Sequence, residues 1–256
     1  MMGLRSLLPV LVLLLGPLAA WAETRQVPAE PGALAAAIAG ADPGDVLLLA
    51  PGRHDGPVVI AIPLTLDGQG QALIQGTGVG SVVTVTGEDV TLRRLEIRGS
   101  GMNHPEVDAG VKLTRTSRRA VVEQNLFEEN HVGVHVFGAR DSVVRDNIIL
   151  GRRDPRMNDR GNGVYVWNAP GTVVERNDIR YGRDGIFSNA SRQNIFRDNL
   201  FRDLRFAVHF MYTPDSEVSG NVSIGNTLGF AIMFSDRVTV VNNQSLSDRT
   251  HRLILN

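Results

Sequence analysis

Three residues near the end of the chain could form a soft-metal site. His209 and Met211 alternate onto one side of an apolar run, and Met233 recurs at the same phase one repeat later. Imidazole and thioether ligands suit Cu(I). Methionine is equally an adaptable contact residue, so a protein-binding surface accounts for the same positions. The chain has no cysteine, so soft-metal chemistry here rests on histidine and methionine alone. His135 falls three repeats earlier, about 14 Å from His209 at the spacing of stacked strands, and cannot share one ion with it.

The same side carries two columns of unusual composition. One reads Lys112, His135, Tyr165, Phe187, His209 and Ala231, and the other Thr114, Phe137, Trp167, Asn189, Met211 and Met233, with Tyr212 beside them. An outward face this rich in rings and sulfur marks a partner or ligand site, unless loops cover it. His135, Phe137, Tyr165, Trp167, Phe187 and Tyr212 are its candidate contact residues.

Two repeats run longer than the others, around residues 100–107 and 152–159. The first insert holds Met102, His104, Glu106 and Asp108, and the second holds Asp154, Met157 and Asp159. Both leave the same turn two coils apart, so they project on one side about 10 Å from each other. Such inserts commonly build a solenoid's binding surface, although solvated polar loops are the plain alternative. A lyase or epimerase would need a base and grouped carboxylates, and a hydrolase two carboxylates at a set separation. The regular strands offer no stacked aspartates on one outward face, so no catalytic residue is assigned.

The element that must position these residues is a repeat: a small residue, an alternating apolar run, then a V-x-x-N turn. Its asparagines are Asn125, Asn147, Asn177, Asn199, Asn221 and Asn243, separated by 22, 30, 22, 22 and 22 residues. Short alternating runs at this period fit one coil of a parallel β-helix, whereas helical repeats are longer and follow a 3.6-residue period. Val111, Val134, Val164, Ile186, Val208 and Phe230 form one inward column, and Val122, Val144, Val174, Phe196, Val218 and Val240 another. The asparagine amides should hydrogen-bond from coil to coil as a ladder. Outward, Glu123, Arg145, Glu175 and Arg197 alternate in charge. An alanine-rich helix over Ala33–Ala39 should cap the first coil, and Asp67-Gly68 reads as a turn. The fold class is therefore all-β: a right-handed parallel β-helix with 22-residue coils and a short N-terminal capping helix.

Residues 1–22 read as a signal peptide, with Arg5, an apolar run over 7–15, and Ala20-Trp21-Ala22 as the cleavage box. The β-helix domain occupies 23–256 and stops partway through a coil, which predicts truncation at its C-terminal end. No later run is long enough to span a membrane. The formal net charge of -1 gives no reason to expect nucleic acid as a partner.

From Phe206 to Asp248 the sequence resembles the NosD family of periplasmic nitrous oxide reductase maturation proteins. The segments F-A-V-H-F-M-Y-T-P-D-S-E-V-S-G-N and A-I-M-F-S-D-R carry the resemblance, and P-G-D-V-L-L-L-A-P-G-R-H-D-G is similar to that family's opening, with His54 where tyrosine is common. The resemblance implies a non-enzymatic periplasmic factor helping to supply the copper–sulfur centre of nitrous oxide reductase. It implies an ABC transporter, a copper chaperone and the reductase as partners, copper(I) as the ion, and His209, Met211 and Met233 as its positions. The alternative is a secreted carbohydrate-active β-helix, a polysaccharide lyase or epimerase.

Overall fold

A computed structural model describes residues 22–256. The leader read at the N-terminus therefore lies outside the described residues, apart from Ala22. Among the described residues no helix is long and apolar enough to cross a membrane.

The chain winds as a parallel β-helix, each strand hydrogen-bonded to its counterpart one coil away. One side is a nine-stranded sheet running from Val58–Ile60 to His251–Leu255. A seventeen-stranded sheet forms the other two sides, because Thr65–Gln75 and Thr91–Arg98 each run unbroken around the corner between them. The turn expected at Asp67-Gly68 is thus a bend inside a strand. The register shifts between Asp67 and Ala72, with Gln69 at φ 53 and Gly70 at φ 77. The buried Asp67 carboxylate holds this bend, accepting from Gln69 N and Arg93 Nε, both at 2.9 Å.

The asparagine ladder forms as expected. The residue before each asparagine is left-handed, as at Gln124 and Asp146 (φ 56 each) and Arg176 (φ 52), which turns the chain sharply between two strands. Such a turn leaves buried backbone groups without strand partners, and the asparagines satisfy them. Asn177 Oδ1 accepts from Asn147 N at 3.0 Å and Asn147 Nδ2 at 2.9 Å, while Asn177 Nδ2 donates to Val144 O at 2.9 Å. The same links join Asn125 to Asn147, Asn177 to Asn199, Asn199 to Asn221, and Asn221 to Asn243. At one end Leu95 N donates to Asn125 Oδ1 at 3.0 Å, so Leu95 occupies the turn position without an asparagine.

Inside the coils the two predicted columns are buried, with Val240 alone only half-buried. The helix Ala33–Ala39 packs Leu34 and Ile38 onto the first coil. His54 is buried, its Nε2 2.9 Å from Ala50 O. Outside, Arg145 pairs with Glu123 at 2.6 Å and Arg197 with Glu175 at 2.7 Å. Burial would raise the Glu175 carboxyl, but hydrogen bonds from Arg197 and Arg176 outweigh it and hold the group below the usual range.

Candidate functional site

The nine-stranded sheet carries the aromatic face. Strand alternation sends Val134, Val164, Ile186 and Val208 inward, and their neighbours His135, Tyr165, Phe187 and His209 to the other face. Because coils stack in register, these four rings form one continuous column. Centroid separations are 5.0, 5.1 and 4.9 Å, with interplanar angles of 5°, 18° and 34°. The second column begins with Phe137 stacked on Trp167 at 4.9 Å, and Arg115 lies over both rings at 5.2 and 5.4 Å. It continues through Asn189 to Met211 and Met233, which are direct partners across Phe206–Met211 and Leu228–Met233.

The two columns differ in access. His135 is 3% exposed and His209 8%, so these outward-facing histidines are covered and not presented to solvent. Trp167, Met211 and Met233 are half-buried. Tyr212 does not continue either column. It sits at a left-handed turn position (φ 53), exposed, and stacks on Phe234 at 5.2 Å.

The insert loops do leave the same turn two coils apart, before Ala109–Leu113 and Val164–Trp167. In the first, Glu106 contributes its carbonyl, which accepts from Lys112 Nζ at 2.8 Å, while Met102 and His104 are exposed. Asp108 is buried and structural, its Oδ2 accepting from Asn103 N at 3.0 Å. The second insert is pinned by Arg160, which donates to Pro155 O, Tyr181 O and Arg153 O at 2.9, 3.1 and 3.0 Å. It reaches along the axis far enough for Met157 Sδ to accept from Thr227 Oγ1 at 3.8 Å. Asp154 and Asp159 are paired with Arg152 and Arg156. Among the described residues no three histidine, aspartate or glutamate side chains group as metal ligands, so the insert carboxylates do not converge on an ion.

Around His209 the structure adds a residue that the sequence reading did not single out. Asp184, fully buried one coil earlier, places Oδ2 3.3 Å from His209 Nδ1 and accepts from Arg205 Nε and Nη2 at 2.8 and 2.6 Å. Burial alone would raise this carboxyl. The hydrogen bonds from His209 and Arg205, with the charges of Arg205 and Arg183, hold it low and ionised. Phe187 and Phe206 flank the His209 ring, each 4.9 Å away. The imidazole is therefore held by Nδ1, which leaves Nε2 as the nitrogen free for a ligand. A carboxylate on the second ring nitrogen is the usual support of a metal-binding histidine. A signal was present in the sequence: the column Val132, Asn162, Asp184, Phe206, Leu228 is apolar but for two neighbours.

Comparison with known proteins follows the same segment. Residues 146–256 match the NosD family, described as a periplasmic copper-binding protein. A probable ABC transporter binding protein NosD of Pseudomonas aeruginosa is 33% identical over 137 residues, 54% of this chain and 32% of that protein. Its namesake in Stutzerimonas stutzeri is 31% identical over 205 residues, 80% of this chain and 47% of that protein. The chain thus spans less than half the length of these relatives, and the resemblance read from Phe206 to Asp248 holds. Among solved structures, an alginate lyase from Paenibacillus aligns over 90% of this chain and 97% of its own, with a TM-score of 0.59 and 17% identity. A pectate lyase, Pel9A, aligns over 93% and 79%, with a TM-score of 0.68 and 13% identity. At these identities the likeness is one of fold.

Proposed function

We propose, from its kinship with the NosD proteins, that this chain is a non-enzymatic periplasmic maturation factor for the copper–sulfur centre of nitrous oxide reductase. In this reading it works beside an ABC transporter and receives copper from a chaperone. Copper(I) is cargo, held briefly by His209 Nε2 with Met211 and Met233. The half-buried Phe137, Trp167 and methionine column meets the protein that gives or takes the ion.

The observation that carries the reading is the Asp184–His209 pair next to the register match of Met211 with Met233, inside the segment shared with the family. An oriented imidazole and two thioethers favour Cu(I) over harder ions. A half-buried face of sulfur and aromatic side chains lets a partner approach without a deep channel.

The test is an anaerobic Cu(I) titration of the purified protein against a competing chelator, with the Met211→Ala, Met233→Ala double variant alongside. Tight one-to-one binding that the variant loses supports the reading. A wild type that binds no copper overturns direct carriage. Turnover of a uronate polymer by the protein would favour the lyase or epimerase reading instead.

A further inference from the structure

Beneath the two insert loops lies a cavity of about 200 Å³, bordered by His104, His131, Arg160, Asn162, Tyr165 and Arg183 and reaching Phe187 at the edge of the His209 region. Its walls carry unmet polar groups. His131 is 5% exposed and Asn162 7%, yet His131 Nδ1 and Asn162 Oδ1 have no hydrogen-bond partner. Arg183 Nε is also buried without one, because Asp184 Oδ2 stands 3.6 Å away, beyond hydrogen-bond reach. Leaving such groups unpaired is costly, so a cluster of them around one void points to a missing partner. Gly161 packs directly against the His131 backbone, where a Cβ would collide with the His131 carbonyl.

The charge of the walls says what the partner is. Among the described residues Arg160 donates only to backbone carbonyls and has no carboxylate partner. Arg183 adds a second guanidinium, and the exposed His104 ring lies edge-on to His131 at 4.2 Å. Against these stand Asp108 and Asp184, whose charge Arg205 and His209 share with Arg183, while Arg152 is tied to Asp154 nearby. A cation would meet arginines here, whereas an anion would meet donors.

We propose that this cavity binds a small oxyanion, gripped by Arg183, His131 and Asn162 under the closed insert loops. Arg183 Nε–H and a protonated His131 Nδ1 donate to its oxygens. Asn162 joins them with its amide turned to present Nδ2, an orientation chosen by whatever it bonds.

Binding should take up a proton. Burial, then the charge of His104, depresses His131 to about 4; Asp108 opposes this, and Arg183 and Arg152 add to it. A bound anion favours the charged ring and raises that pKa. Affinity therefore strengthens as pH falls through the bound-state pKa, by up to about tenfold per pH unit, and levels off once the free ring is itself protonated.

Sulfate keeps a constant charge through this range and is the probe. Calorimetric titration into the protein at about pH 7 and about pH 5 is expected to show one saturable site, at least about tenfold tighter at the lower pH. Arg183→Gln should weaken it about tenfold or more, and His131→Gln should remove its pH dependence. His104→Ala, at an exposed loop position that the core does not use, should weaken it several-fold as a check on the buried variants. Arg140→Gln, an exposed arginine away from the cavity, should leave it unchanged. Absence of a saturable site, equal weakening by Arg183→Gln and Arg140→Gln, or a wild-type affinity indifferent to pH would each overturn the proposal. None of these outcomes depends on whether copper binds near His209.

Discussion

His209 Nδ1 and Asp184 Oδ2 lie 3.3 Å apart across neighbouring coils, 25 residues apart in the chain. The pair fixes which imidazole nitrogen is free, and so decides what His209 can offer a ligand. Asp184→Asn should keep the fold while weakening the hold on the ring. Under the copper reading its Cu(I) affinity is expected to fall about 10–100-fold, the usual cost of losing such support. Competition against a chelator measures this.

The same carboxylate gives a stability prediction. Asp184 is held below its ordinary range, so its contribution is complete above the unfolded-state value and is lost as pH falls through the folded one. The wild type should therefore lose more stability in acid than Asp184→Asn does, and the two denaturation midpoints should converge below about pH 4. Urea melts across this range test the convergence.

His135 acts in the same direction, beginning at a higher pH. Burial, with help from Lys112, pushes its pKa down to about 3, so the unfolded chain binds a proton that the folded one refuses. As pH falls from its unfolded value towards its folded one, stability should drop by about 1.4 kcal/mol per pH unit from this group. His135→Phe keeps a ring against Tyr165, stacked at 5.0 Å in the wild type, and should flatten that part of the acid limb. A profile of melting temperature against pH shows whether it does.

Asn177→Ala should be among the most damaging single changes. It strips partners from Asn147 N, Asn147 Nδ2 and Val144 O at once. With about 1–3 kcal/mol for each buried group left unpaired, a loss of at least ~3 kcal/mol is expected. Equilibrium unfolding reads it directly, and a change below ~1 kcal/mol would mean that water replaces the amide.

Arg160→Ala should act locally. The side chain ties the second insert to Pro155, Tyr181 and Arg153 carbonyls, and the coils beneath do not depend on it. Faster proteolysis within residues 152–159, with little shift in melting temperature, is the expected pattern.

The repeat, the inward columns, the asparagine ladder and the capping helix were all legible in the sequence, because each follows from a local rule of alternation or turn chemistry repeated at one period. The pairing of Met211 with Met233 and the stacking of His135, Tyr165, Phe187 and His209 followed from that period alone. Access and ionisation did not. That His209 is covered depends on how Asp184, Phe187 and Phe206 close around its ring, which alternation alone does not fix. The roles of Asp184, His131 and Arg183 depend on which side chains meet between coils and beneath loops. Strand register brings residues 22 positions apart side by side, but only packing in three dimensions decides which of their polar atoms find partners and which are left facing a void.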